Sequence, residues 1–210
     1  MERARGQDRE AVRPASCRKP ARMVDCSKNN RKGADAHMEI LKALPADFDD
    51  VRGFYHSLID ALQGRSNTVG WQKDVYPAPD FLRSSLAVGE LYLVREGARI
   101  AGAMVLNHQS NESYPDSVWQ VRADAEEQLV IHALGVHTDF ERRGCARALV
   151  GKAIELARAA GMKAIRLDVL EGNTAAERLY EGCGFRRMTS LPMYYEDTGW
   201  ANFILYELVL

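Results

Sequence analysis

Between Met38 and Leu210, apolar residues either alternate with polar ones or recur at three- and four-residue spacing, and these two periods divide the segment into strands and helices. Met38 to Lys42 reads as a short edge strand, closed by Pro45. Asp47 is then placed to cap a helix running to about Leu62, with Phe48, Val51, Tyr55, Leu58, Ile59 and Leu62 on one face. The polar stretch 63–70 breaks that period, and Pro79 leads a second short helix over 80–88. Apolar runs at 90–95 and 99–106 flank a turn at Gly97 and predict a hairpin. Trp119 and Val121 are read as continuing a strand between two polar, charged segments. Gln128 to Val136 is the central strand, with Val130, His132, Leu134 and Val136 on one face. A helix follows whose stripe is Leu149, Val150, Ala153, Ile154, Ala157 and Ala160, and it stops at Gly161. Ile165, Leu167 and Val169 then alternate with Arg166 and Asp168 in a strand that must lie parallel to the central one through a right-handed crossover. Thr174 to Glu177 has the spacing of a capping box and opens a helix to Gly182. Gly184-Phe185 starts the closing hairpin, whose loop is expected to carry Tyr194, Tyr195, Glu196, Asp197 and Trp200 before a last strand over 203–210. The order is β-α-α-β-β-β-α-β-α-β-β, an α/β (α+β) chain with one mixed sheet.

Composition changes this picture chiefly at the N-terminus. Residues 1–37 hold ten Lys or Arg against five Asp or Glu and few large apolar residues, so they read as a disordered basic arm or a non-native extension of a domain spanning 38–210. Met38, heading M-E-I-L-K-A, is read as the natural start. The arm has no apolar core of a secretory signal, and Glu2, Asp8, Glu10, Asp25 and Asp35 count against an organellar transit peptide. No apolar run is long enough to span a membrane, and a net charge of −1 calls for no polyanionic partner. The 38–210 span is long enough to bury one core. Cys17, Cys26, Cys145 and Cys183 show neither metal-ligand spacing nor a disulfide framework, which fits a reducing cytoplasm and predicts no metal.

The chemistry is concentrated where the central strand meets its helix. Glu141-Arg142-Arg143-Gly144-Cys145-Ala146-Arg147 places backbone N–H groups without intrahelical partners, and the positive end of a helix dipole, around a glycine. Such a turn holds an anion, a phosphate above all. Cys145 at that helix start is read as a small apolar residue rather than a nucleophile.

Strand, V-H-x-D-F-x-x-x-G-x-A and Ala/Leu-rich helix together resemble motif A of the GCN5-related N-acetyltransferase (GNAT) superfamily, and N-x-x-A-x-x-L-Y-E-x-x-G-F from Asn173 to Phe185 resembles its second hallmark. Glu141 departs from the usual Gln or Arg, and a carboxylate there repels a pyrophosphate unless it turns away or pairs with an Arg. The resemblance, covering about Met38 to Leu210, implies the GNAT fold, acetyl-CoA as co-substrate, and acetyl transfer to a primary amine, a small molecule first. Acceptor alternatives are a protein or peptide N-terminus. A rival from another class is a non-catalytic acyl-CoA-binding module with a nucleic-acid-binding arm; the arm lacks the interleaved aromatics that nucleic acid would need. By resemblance, Leu134, Gly135, Val136, the 141–147 turn, Asn173 and Tyr180 hold the co-substrate, and the splayed parallel strands receive its pantetheine arm. Tyr180 is then the expected general acid, and His132, on the central strand and able to take a proton near neutral pH, the expected base, with Glu127 next. Trp71, Tyr76, Tyr194 and Tyr195 are candidates for acceptor contact. A homodimer is left open by the resemblance.

Overall fold

Seven strands form one twisted sheet in the order β1-β2-β3-β4-β5-β7-β6, antiparallel throughout except for the β4–β5 pair. The structure, a computed structural model, describes residues 38–65 and 69–210; the readings of 1–37 lie outside these. In chain order the elements are β1 (Ile40–Lys42), α1 (Phe48–Leu62), α2 (Pro79–Val88), β2 (Leu91–Glu96), β3 (Arg99–Asn107), β4 (Gln128–Val136), α3 (Cys145–Ala159), β5 (Ala164–Leu170), α4 (Thr174–Gly182), β6 (Arg186–Tyr195) and β7 (Gly199–Val209). This is the order predicted from the hydrophobic pattern.

Each face of the sheet has its own core. Leu149, Val150, Ala153 and Ala157 of α3 meet Ile165, Leu167 and Val169 of β5 on one side, while Val51, Tyr55 and Leu58 of α1 and Leu82 and Leu86 of α2 meet Leu93, Ala103 and Val105 on the other. The α1–α2 layer stops short of β5 and β7. There the second face is covered by the segment between β3 and β4, whose Tyr114, Val118 and Trp119 join Met193, Phe203 and Leu205 in a third cluster.

Three local expectations are corrected. Trp119 and Val121 form no strand: a single 3-10 turn, Asp116–Val118, precedes them, and the segment is fixed by side chains instead of a ladder. The Arg166 guanidinium donates to Glu207, Gln128 and the Val121 carbonyl and lies 4.4 Å from the Trp119 ring centre, while Glu207 also accepts from the Gln120 N–H. Both charges are almost fully buried, so their mutual satisfaction is obligatory. The cap of α4 is Asn173, whose Oδ1 accepts from the Ala176 N–H at 3.2 Å, one residue before the expected box. Tyr194 and Tyr195 end β6 rather than sitting in a loop, because β6 and β7 pair from Arg186 to Tyr195.

The parallel pair parts early. β4 and β5 are in register only at Gln128, Leu129 and Val130 against Ala164, Ile165 and Arg166, and beyond these the strands diverge into a gap.

Candidate functional site

A bulge in β4 decides what faces that gap. Ala133 has φ 47°, and the pairing with β3 slips between Ala103 and Val105. Leu129 and Ile131 pack on the α3 side, Ala133 on the α1 side, and Leu134 and Val136 on the α3 side again. The period of two is thus reset at Ala133. His132 consequently does not share a face with Leu134 and Val136, as unbroken alternation predicted; its ring turns to the α2 side, 6.1 Å from the Phe81 ring. The bulge carbonyl is held by the buried Tyr55 hydroxyl at 2.8 Å. Gly135 lets Trp71 and Leu58 lie against the strand, since a Cβ there would stand 2.6 Å from Leu58 Cδ2 and 3.3 Å from Trp71 Cζ3.

The anion turn has the geometry its sequence required. Arg142 and Gly144 adopt φ of 60° and 91°, and the first i→i−4 bond of α3 is Ala148 N–H to Gly144, so the amides of Cys145, Ala146 and Arg147 lie ahead of the helical ladder. The departure at Glu141 is compensated: its carboxylate pairs with Arg65 at 2.8 Å. Arg143 is paired with Glu96 at 2.9 Å and stacks on Phe140, while Arg147 donates to the Gly182 carbonyl at the end of α4. Cys145 is buried, and burial pushes its thiol up, which agrees with an inert packing role. No clustered His, Cys, Asp or Glu able to hold a metal occurs among the described residues.

A cavity of about 270 Å³ lies at the gap, and Trp71, Tyr76, His132, Leu134, Asn173, Tyr180 and Tyr195 of the expected site residues line it, whereas the 141–147 turn does not. Leu134, Asn173 and Tyr180 line one end. Trp71, Tyr76 and His132 belong to its other walls, in a run of ring contacts from Tyr55 through Trp71, Tyr76 and Phe81 to His132. Tyr180 is buried against Phe185 and Tyr206, and burial, reinforced by the negative charge of Asp168, pushes its phenol up. His132 is driven the other way: burial, partly opposed by a hydrogen bond to the Gln109 backbone, lowers it to about 4. At neutral pH this imidazole is uncharged and weakly basic, with Nε2 3.0 Å from Asn107 Oδ1. Glu127, the reserve base, sits at the start of β4 in a pair with Lys163 at 2.6 Å, which holds its carboxyl below the usual range.

Sequence reasoning passed over a carboxylate of the cavity wall. Asp168 of β5 reads as the polar partner in an alternating strand, yet it is half-buried beneath the β3–β4 segment, and desolvation raises its pKa against the opposing pull of two hydroxyls. Tyr114 and Tyr195 both donate to its Oδ2, at 2.5 and 2.7 Å. Asp168 itself lines the cavity, with both of these donors on the one oxygen. An acid between Leu167 and Val169 in a strand this apolar was the available clue; Tyr114, in a polar segment, offered none. Tyr194 is the expectation that the structure removes: strand alternation turns it away from Tyr195, and it stands 58% exposed against Trp200 outside the cavity.

Beside the cavity, two segments distant in the chain are joined. Gln72 Nε2 donates to the Asp197 carbonyl, and Gly70, at φ 76°, comes so close to Thr198 that a Cβ would lie 2.3 Å from its methyl. The loop bearing Gly70 to Tyr76 is braced from below by Asp74, which takes Arg52 and His56 of α1 at 2.6 and 2.9 Å.

Comparison with known proteins agrees with this architecture. The chain is 28% identical over 97 residues to the [ribosomal protein bS18]-alanine N-acetyltransferase of Escherichia coli (strain K12), a match spanning 46% of this chain and 66%, just under two thirds, of that enzyme. Its fold matches a putative acetyltransferase from Salmonella typhimurium solved with its cofactor acetyl-CoA (TM-score 0.60, 18% identity, 83% of this chain and 95% of that one). It also matches a ribosomal-protein-alanine N-acetyltransferase from Brucella melitensis (TM-score 0.60, 17% identity, 82% and 100%). Residues 56–185 match the family model described as acetyltransferase (GNAT) family, and with the splayed strands, the bulge and the anion turn all inside that span, the chain belongs to the GNAT acetyltransferase family.

Proposed function

We propose that the protein is an acetyl-CoA-dependent N-acetyltransferase that moves an acetyl group directly onto the primary amine of a small molecule within a ternary complex. The observation that carries this is the placement of Asp168 and Tyr180 on one cavity where β4 and β5 part. The turn 141–147 is suited to the diphosphate of the co-substrate, and the open edge of β4 from Leu134 to Val136 to its amides and to the thioester oxygen. Asp168 replaces His132 as the base in this reading, because burial raises its carboxyl above the ordinary range while His132 is depressed.

Asp168 takes one proton from the entering ammonium, and the freed nitrogen lone pair adds to the thioester carbon. Collapse of the adduct breaks the C–S bond; Tyr180 donates its proton to the departing thiolate, and the second nitrogen proton restores the phenol. Burial keeps Tyr180 protonated beforehand and equally disfavours the free thiolate.

A second reading, acetylation of a protein N-terminal alanine, is favoured by the relatives named above. The cavity volume of about 270 Å³ weighs toward the smaller acceptor. CoA release measured with a panel of small amines and an alanine-starting peptide decides between them. Absence of release with every acceptor, while acetyl-CoA binds, would sink the transferase reading.

A further inference from the structure

The cavity has a charge imbalance that bears on which amines it can take. Among the described residues that line it, Asp168 and Asp197 are the only charged ones, and none is Lys or Arg. We propose that the acceptor is a small cationic amine that carries no carboxylate, bound with its ammonium at Asp168 Oδ1; this deepens the transferase reading and rests on it.

Three observations converge on that chemistry. Asp168 is half-buried and lines the cavity, and its two tyrosine donors are both spent on Oδ2, so Oδ1 is the oxygen with capacity for an entering donor. An ammonium supplies the missing donors and the missing charge together. Around it stand the rings of Trp71, Tyr76, Tyr114 and Tyr195, which favour a cation over a neutral or anionic group. A carboxylate brought in beside the amine, as in any free α-amino acid, would meet Asp168 with no cation to balance it and would lose its hydration. The cavity volume of about 270 Å³ limits the body of the acceptor.

The test uses the full chain with saturating acetyl-CoA and matched pairs differing by one carboxylate: phenethylamine and phenylalanine, histamine and histidine, cadaverine and lysine. In at least one pair the amine should be acetylated with a kcat/KM about a hundredfold or more above its amino acid, the discrimination that like-charge contact and a lost ion hydration shell produce. Amino acids used as well as their amines, or an alanine-starting peptide used better than either, would overturn the inference while leaving the transferase reading intact. Release with none of these acceptors would overturn both. Gln109→Arg, at an exposed position on the rim, supplies the absent cation and should narrow the ratio by about tenfold or more. An unchanged ratio in that folded variant would count against the charge argument itself.

Discussion

The hydroxyl of Tyr55 on α1 donates to the carbonyl of Ala133 on β4 across 2.8 Å, inside the sheet core. That bond joins the α1 layer to the one residue at which the central strand changes phase. Tyr55→Phe leaves the ring contacts with Phe54 and Trp71 but orphans a buried carbonyl. It should cost about 1–3 kcal/mol of stability and lower kcat/KM about tenfold as the bulge relaxes. Chemical denaturation and steady-state kinetics on the same variant check both parts; unchanged activity at reduced stability would confine Tyr55 to a packing role.

Gly144→Val should abolish acetyl-CoA binding while the protein still folds. The added Cβ itself meets only Met38 Cε, at 3.5 Å, so the surroundings tolerate it. The φ of 91° does not suit a β-branched residue and should cost on the order of 1–3 kcal/mol. The side chain also stands among the amides that would receive the diphosphate. Calorimetric titration with acetyl-CoA, beside a thermal melt to show folding, is decisive, and undiminished affinity would discard the turn as the anion site.

Tyr180→Phe keeps the ring packing with Phe185 and Tyr206 and removes one proton. kcat should fall by about tenfold to a thousandfold, with acetyl-CoA affinity little changed. Wild-type turnover, with chemistry shown to be rate-limiting, would remove Tyr180 from the mechanism.

Asp168→Asn separates function from stability. The amide oxygen can still accept from Tyr114 and Tyr195, but the base is gone, so kcat/KM should drop by about a hundredfold or more. Because the folded pKa is raised, the neutral carboxyl favours folding below its ordinary range, and that contribution is lost as pH rises through the raised value. The variant has no such group to ionise. Asp168→Asn should therefore melt higher than wild type at neutral pH, with the advantage shrinking as pH falls toward the ordinary carboxylate range. A variant less stable than wild type at pH 7 would contradict this account.

The pH profile distinguishes the two candidate bases. With Asp168 as base, kcat/KM falls as pH drops through a pKa above the normal carboxylate range, and His132→Gln leaves that limb in place. Loss of the acid limb in His132→Gln, with Asp168 intact, would return the role to His132.

The order of elements was legible because each stripe keeps its period to the end: α3 and β5 bury the residues that their spacing selected. The shape of the 141–147 turn and the helical setting of Tyr180 were legible because their neighbours in sequence are also their neighbours in space. What escaped depends on contacts between segments distant in the chain. An alanine at positive φ has no marker in the sequence, so the reset of β4 at Ala133, and with it the true face of His132, was invisible. Asp168 looked solvent-facing because the cover over it is an irregular segment held by Arg166, Glu207 and Trp119, not an element with a period. Tyr194 and Tyr195 were indistinguishable until the β6–β7 register assigned one inward and one outward.

The early parting of β4 and β5 after Val130 and Arg166 leaves two strand edges facing each other in the middle of a seven-stranded sheet. A sheet interrupted at its centre has a seam, and the two halves are joined there by three residue pairs, by the helices and by the β3–β4 segment bonded to Arg166, Glu207 and Asp168. Any extended ligand with amide groups that fills the seam closes the sheet as a rung would, so occupancy should register as a mechanical and thermal change across both halves and not only at the site. Saturation at about a hundred times Kd should add about 2.7 kcal/mol to unfolding. Hydrogen exchange along residues 131–136 and 167–170 should slow together, as one unit.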